Sequence, residues 1–367
     1  MSKLVSSEFQ SWESLYWPEG VPRSVDASLP PPGEVLNRRW ALVLEGGEVP
    51  MEDLAAAVEG LASGGARCIS LTGDGQLAAA LGVLLVASGK ASAELPRGAP
   101  SCEAVASVGL EGGRVKAQAS GGPSSWSPPT KDKQYLAIST PEGRRAIYTA
   151  EALWGSAASL SAFLGLGRED GVLVLGDPRG EFELSALAAS LSSGVKAIYA
   201  RAGGSAGRRA AFVGGSALKD AGNLPRGASY VGVEGPLDAA VTRGLEKSLE
   251  VPVLQMYGIS GRGILFSNTI EFNVHGSVGI AITNVEAVVS EVLEASWYRG
   301  RRLLGPGDVG EIAVRAPFID MGFNAGDQRQ RQIQVRVSGK NQPWLGVGVM
   351  GHMDENGYMY PEGRSFI

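Results

Sequence analysis

The chain has 367 residues and a net charge of −5, with 33 Lys and Arg against 38 Asp and Glu. That balance leaves no basic stripe to hold a phosphate backbone and argues against nucleic acid as a partner. The 44% hydrophobic content excludes wholesale disorder, and 52 glycines, about twice the usual share, demand many turns and close approaches.

In chain order, residues 1–39 read as an extended arm rich in Pro and aromatics, among them Trp12, Tyr16 and Trp17. Trp40–Leu44 then reads as a strand, Glu45–Gly47 as a turn, Met51–Ala62 as an amphipathic helix and Arg67–Leu71 as a buried strand. Gly75–Ser88 reads as an apolar helix stopped by Gly89. Strand and helix in alternation predict an α/β sheet with crossovers. The apolar run Ala78–Ala87 is too short to span a bilayer, and the N-terminus lacks a basic start followed by an apolar core. A soluble, cytoplasmic protein is expected. Cys68 and Cys102, with only His275 and His352 to assist them, are too few for a disulfide framework or a four-ligand zinc site. They predict a reducing compartment and no metal, with Cys68 as a small core residue.

Residues 118–130 (QASGGPSSWSPPT) form a Gly/Ser/Pro-rich stretch that reads as a lobe boundary or mobile loop. Alternation resumes with strands at Gln134–Ile138, Gly171–Leu175 and Lys196–Ala200 around helices at Ala150–Leu164 and Phe182–Leu191. Gly203–Gly207 and Gly214–Gly215 lack the spacing of a dinucleotide loop and read as turns. Ser229–Val233 and Val251–Gln255 are strand-like around a helix at Leu237–Leu249, and from Gly276 onward short β segments predict a small β-rich lobe. The expected lobes are 40–117, 131–275 and 276–367.

Several short motifs stand in a familiar order. VPVLQMYGIS at 251–260 resembles V-x-x-x-Y-G-x-T-E, and GSVGIAITNV at 276–285 resembles G-S-V-G-x-P-x-P-N-V. GDVGEIAVRAPFIDMGF at 307–323 resembles G-E-x-G-E-I-x-V-R-G-P-x-x-x-x-G-Y, and 344–364 is similar to W-x-x-T-G-D-x-G-x-x-D-E-D-G-Y-x-x-x-x-G-R. Weaker likenesses precede them at 49–54 and 77–90. Together they resemble the adenylate-forming superfamily of acyl-CoA and aryl-CoA synthetases, peptide-synthetase adenylation domains and luciferases. The resemblance implies that family's large N-terminal domain, an α/β fold of two α/β subdomains and a distorted β-barrel. The chain stops where the family has its hinge, so the mobile C-terminal domain and its acyl-activating lysine are expected to be absent.

The resemblance also assigns positions. The phosphate loop falls at 138–147 (ISTPEGRRAI), where Ser139, Thr140 and Gly143 match, Pro141 removes a donor, Glu142 adds an anion, and Arg144 or Arg145 could replace the family's lysine. The alternative for this segment is an ordinary strand-to-helix turn. Tyr257, Gly258 and Ser260 match the next motif, with Tyr257 either stacking on adenine or packing in the core, but the magnesium glutamate is Gly261. The ribose-binding aspartate falls on Val349, the substrate gate falls within Asp177–Glu181, where Arg179 stands, and Arg364 matches the hinge arginine. Asp354 and Glu355 match the family's turn acids. His275 and His352 are possible general bases, and His352 otherwise packs or lies exposed. No catalytic group is assigned and no metal is expected.

Four losses together imply a degenerate acyl-CoA synthetase-like protein without stand-alone adenylation, serving as a ligand-binding or partner protein. The alternative is an acid–CoA ligase using ATP, magnesium and CoA with a C-terminal domain supplied in trans. A third reading is a repurposed pocket acting on a small hydrophobic acid or polyketide by cyclisation or isomerisation.

Overall fold

The computed structural model describes residues 17–31, 33–45, 47–122, 133–139, 143–168, 170–199, 209–214, 228–292, 300–326 and 330–363. The first lobe opens with the hairpin β1 (Ala41–Leu44) and β2 (Gly47–Pro50), α1 (Met51–Ala62), β3 (Cys68–Gly73), α2 (Gly75–Ala87) and β4 (Ser92–Leu95). It continues through β5 (Ala104–Glu111), β6 (Arg114–Gly121), β7 (Tyr135–Ser139) and β8 (Arg145–Thr149). The next stretch holds α3 (Ala150–Phe163), β9 (Gly171–Leu175), α4 (Glu181–Ser193), β10 (Lys196–Tyr199), β11 (Arg209–Val213), β12 (Tyr230–Glu234), α5 (Ala239–Leu249), β13 (Val253–Ile259), β14 (Gly263–Ser267) and β15 (Ile280–Ala281). The remainder is β16 (Glu286–Ser290), β17 (Arg301–Arg302), β18 (Gly310–Arg315), β19 (Arg331–Val337), β20 (Lys340–Met353) and β21 (Met359–Pro361).

Three sheets result. A six-stranded sheet runs β6-β5-β3-β4-β7-β8, a nine-stranded sheet runs β15-β14-β13-β12-β11-β9-β10-β1-β2, and the C-terminal sheet runs β16-β18-β20-β19-β17 with β21 beside β20. In the nine-stranded sheet β9 lies between β10 and β11, both parallel to it. The chain therefore leaves β9 to one side and later returns on the other, which opens a crevice beyond the carboxyl ends of those strands.

Helix α2 explains why the two α/β sheets stay together. Asp74 caps it, its carboxylate accepting from the N–H groups of Gln76 (2.9 Å) and Leu77 (3.0 Å). Every residue from Leu77 to Ala87 is buried. A helix apolar all round belongs between layers, and α2 packs on β3, β4 and β7 and against α1, α3 and α4. Each fully buried leucine along it contributes about 1.5–3 kcal/mol. Helix α3 is capped by Thr149, whose hydroxyl accepts from the Ala152 N–H, and packs along α4. At Gly155 any Cβ would overlap the Phe318 ring, so glycine is what lets the C-terminal lobe seat against α3.

Three sequence expectations are corrected. The stretch expected to be a loop from 118 begins with the last residues of β6, which pairs with β5 across eight positions as a hairpin turning at Gly112 and Gly113; residues 123–130 lie outside the described residues. The segment 138–147, read as a phosphate loop or a strand-to-helix turn, instead contains the end of β7 and the start of β8, antiparallel to β7, and α3 follows only after β8. Cys68 and Cys102 are both buried and joined by a disulfide, so neither stands as a free core thiol.

Candidate functional site

Of the positions singled out in the sequence, Ser260, Gly261 and Glu181 at the end of the gate segment meet where β8, the start of α4, the β13–β14 turn and the segment 318–326 of the C-terminal lobe come together. The turn is made by Ser260, Gly261 and Arg262, closed by an N–H from Arg262 to the Ile259 carbonyl (2.8 Å). Gly261 has φ +69°, which favours glycine. A Cβ there would stand 2.6 Å from the Ile147 carbonyl oxygen and closer still to the Ala325 side chain. The Ala325 carbonyl in turn accepts from the Ile147 N–H (2.8 Å), so the segment at 325 pairs along the edge of β8. Position 261, where the resemblance puts a magnesium glutamate, therefore has neither a side-chain oxygen nor room for one. Among the described residues no group of three or more His, Cys, Asp or Glu is placed to hold a metal ion. The residues present do not fit magnesium, and no chemical step is derived through it.

A carboxylate from another element fills this corner. Glu181, buried at the start of α4, accepts from the Tyr148 hydroxyl (2.7 Å), the Ser260 hydroxyl (2.9 Å) and the Gly261 N–H (2.9 Å). Burial pushes its carboxyl up, and those three donors oppose the shift. Burial and the neighbouring Glu181 push the Tyr148 phenol well above its ordinary range. The trio ties β8, α4 and the 260–262 turn into one closed polar unit.

The phosphate-loop residues separate. Ser139 ends β7, and its carbonyl accepts from Arg97 Nε (2.8 Å); Gly143 sits in the turn at φ +79°; Arg144 is exposed. Arg145 pairs with the buried Glu94 (2.7 Å) and donates to the Ser101 hydroxyl (2.8 Å). Glu94 also accepts from the Ser101 N–H (2.9 Å), the Ser101 hydroxyl (2.6 Å) and the Ser70 hydroxyl. The Cys102 N–H donates to Ser70 Oγ (3.2 Å), so the disulfide borders this network. Arg145 is thus committed to an internal carboxylate. Thr140, Pro141, Glu142 and Arg364 lie outside the described residues.

Tyr257 is core: 1% exposed, its ring edge-on to Phe266 at 6.3 Å. Gly258 lies beside it in β13 at a register shift. Val349 is half-buried on β20 and packs on the main core. Asp354 accepts from the N–H groups of Asn356 and Tyr358 (both 2.9 Å) and folds the turn before β21. His275 Nε2 meets Glu246 at 2.7 Å, and His352 stacks on Tyr360 at 4.7 Å; neither lies in this constellation.

The gate segment divides. Asp177, Pro178 and Arg179 line an open cleft of about 560 Å³ with Glu45, Asp74 and Gln76. Arg179 is held by the Pro96 carbonyl (3.0 Å), and Asp177 pairs with Arg97. Two residues past Glu181, Glu183 turns into the crevice beyond β9 and β11, where its carboxylate occupies the space that Cβ atoms of Gly176, Gly180 and Gly214 would fill. It is 3% exposed, and its carboxyl is pushed up to about 8, chiefly by burial, with Glu234 and Asp177 adding to the rise. Glu94 and Glu183 escaped sequence reasoning, and Glu181 entered it only as the end of the gate segment; the available signal for the last two was the run GEFELSALAAS, where two acids sit in an otherwise small and apolar stretch.

No protein-family model and no curated protein sequence matches the chain. Solved structures do. ATP-bound MatB from Rhodopseudomonas palustris is similar with TM-score 0.67 and 15% identity over 93% of this chain and 79% of that one. A long-chain-fatty-acid–CoA ligase (FadD1) from Archaeoglobus fulgidus gives TM-score 0.69 and 13% identity over 96% and 87%. The N-terminal subdomain of NpsA from Klebsiella oxytoca, in complex with 3-hydroxyanthranilyl-AMSN, gives TM-score 0.65 and 13% identity, with 92% of this chain and all of that one covered. The fold is that of the large N-terminal domain of adenylate-forming enzymes. At these identities the likeness concerns the fold.

Proposed function

We propose that this chain keeps the adenylate-forming scaffold as a ligand-binding or partner protein and does not adenylate an acid on its own. The observation that carries this reading is the Gly261 corner. In-line attack on an α-phosphate needs its charge neutralised by fixed groups or a metal, and here position 261, where the resemblance puts a magnesium glutamate, has no side-chain oxygen and no room for a side chain beside Ala325 and the Ile147 carbonyl. The Arg145–Glu94 pair supports the same reading, because the guanidinium charge is already balanced by a buried carboxylate and draws a phosphate less strongly. The crevice beyond β9 and β11 is filled by the buried Glu183 carboxylate against Gly176, Gly180 and Gly214, which offers an apolar acid no apolar wall there.

ATP–pyrophosphate exchange with a panel of aliphatic and aromatic carboxylic acids tests the proposal. No exchange above a no-protein control is expected. Exchange at enzymatic rates by the chain alone refutes it, and exchange that appears only on adding a C-terminal domain of an adenylate-forming enzyme favours a ligase assembled in trans.

A further inference from the structure

Directly after Gly261 comes Arg262, the largest fully buried side chain among the described residues, at 0% exposure. Its Nη2 donates to the Phe323 carbonyl (2.6 Å) and its Nε to Gln330 Oε1 (3.2 Å), while Nη1 has no hydrogen-bond partner. Among the described residues no carboxylate stands within ion-pair distance of it; Asp320 acts on it only through a longer-range field. Burial lowers its pKa to about 10, which still leaves the guanidinium charged at neutral pH. A buried cation with an unpartnered Nη1 and no carboxylate in contact among the described residues is a costly arrangement, and an unsatisfied buried donor calls for an explanation.

The place of this cation matters. It lies one residue past the corner that lacks a magnesium ligand, in the seam between the β13–β14 turn and the C-terminal lobe. Gln330 bridges that seam, donating to the Ser260 carbonyl (2.8 Å) as it accepts from Arg262. Phe323, stacked on Tyr135 at 5.3 Å, lies 5.8 Å from the guanidinium carbon. Phe323 and Gln330 are only half-buried, so the seam faces the surface through these two side chains.

We propose that Arg262 anchors a metal-free oxyanion site, its unpartnered Nη1–H and fixed positive charge receiving a phosphate or carboxylate group of a small ligand. A guanidinium suits either group because it offers planar, directed donors. The proposal deepens the non-adenylating reading above and rests on it, since a fixed guanidinium takes over charge neutralisation where no metal fits.

The test is calorimetry on the full chain in EDTA with inorganic phosphate, pyrophosphate and acetate as probes, beside Arg262→Met, Arg262→Lys and the surface control Lys196→Ala. Saturable binding of at least one probe is expected, unchanged in Lys196→Ala, weakened at least tenfold in Arg262→Met and by a smaller factor in Arg262→Lys. The phosphate and acetate arms tell which oxyanion the site prefers. Arg262→Met should melt at or above the parent temperature, because an apolar side chain of similar length removes an unpaired buried charge; should it fail to fold, Arg262→Lys carries the comparison. Absence of saturable binding for every probe, as expected if a buried water satisfies Nη1, overturns the proposal. So does binding that survives both Arg262 substitutions. Neither result depends on pyrophosphate exchange, so this proposal and the preceding one fail separately.

Discussion

Replacing Glu183 by Gln removes one titrating carboxyl from the crevice beyond β9 and β11 while keeping its shape. Because burial lifts the native carboxyl to about 8, the folded chain holds a proton that the unfolded chain releases near its ordinary value of about 4.3. The contribution to stability is therefore complete below about pH 4, declines as pH rises, and is lost once pH passes the native value. Between about pH 6 and pH 9 the unfolded side chain is already ionised, and the native one gives up its proton only over the upper part of that range. The difference amounts to about two pH units of linkage, or about 3 kcal/mol and close to a hundredfold in the folding equilibrium. Urea titrations of the parent and Glu183→Gln at both pH values isolate this share, since every other group titrates in both proteins. The parent should lose about 3 kcal/mol more than the variant on going to pH 9. Parallel losses would refute the assignment, because they would mean that the glycine-lined carboxylate is ionised at no cost.

Four further outcomes follow from the geometry. Gly261→Ala should destabilise by about 2–4 kcal/mol, the sum of a left-handed backbone and overpacking against Ala325, and Gly261→Glu should fold poorly without acquiring magnesium binding, both readable by thermal denaturation and metal titration. Glu94→Ala strands Arg145 and the Ser70 and Ser101 donors and should cost about 3–5 kcal/mol by urea denaturation. Breaking the Lys196–Glu48 pair, whose side chains are 53% and 47% exposed, should cost under about 1 kcal/mol in the same assay. Alkylation of the denatured, non-reduced chain should modify neither Cys68 nor Cys102, and a dithiol should lower stability by about 3–4 kcal/mol for a loop spanning 34 positions; two reactive thiols in the non-reduced chain would contradict the disulfide.

Helix boundaries were the most legible feature of this sequence. α1, α2 and α3 fall within a residue of expectation, and for α2 and α3 a local signal marks each end: Asp74 and Thr149 supply caps, and Gly89 and Gly165 lie just past α2 and α3. The β5–β6 hairpin was not legible, since an exposed edge strand such as RVKAQASG has little apolar alternation to announce it. The same contrast holds at the site. The replacement of a ligand by Gly261 could be read in one dimension, whereas Ala325 closing over it, 64 positions away, could not. Tyr257 matched a motif yet faces the core, because β13 is buried on both sides and leaves its ring only Phe266 and its neighbours. Glu94 and Arg145, 51 positions apart, meet only because β4 and β8 flank β7 in one sheet.

The central claim is that Ala325 and the Ile147 carbonyl close the space at position 261, so that no magnesium-holding side chain fits there. Calorimetric titration of the full chain with ATP, once in EDTA and once in excess magnesium, tests it most directly. The predicted result is that magnesium adds no affinity, any heat being equal in the two buffers. ATP binding that tightens tenfold or more with magnesium, and that requires Glu181 or residues of the 260–262 turn, would contradict the claim.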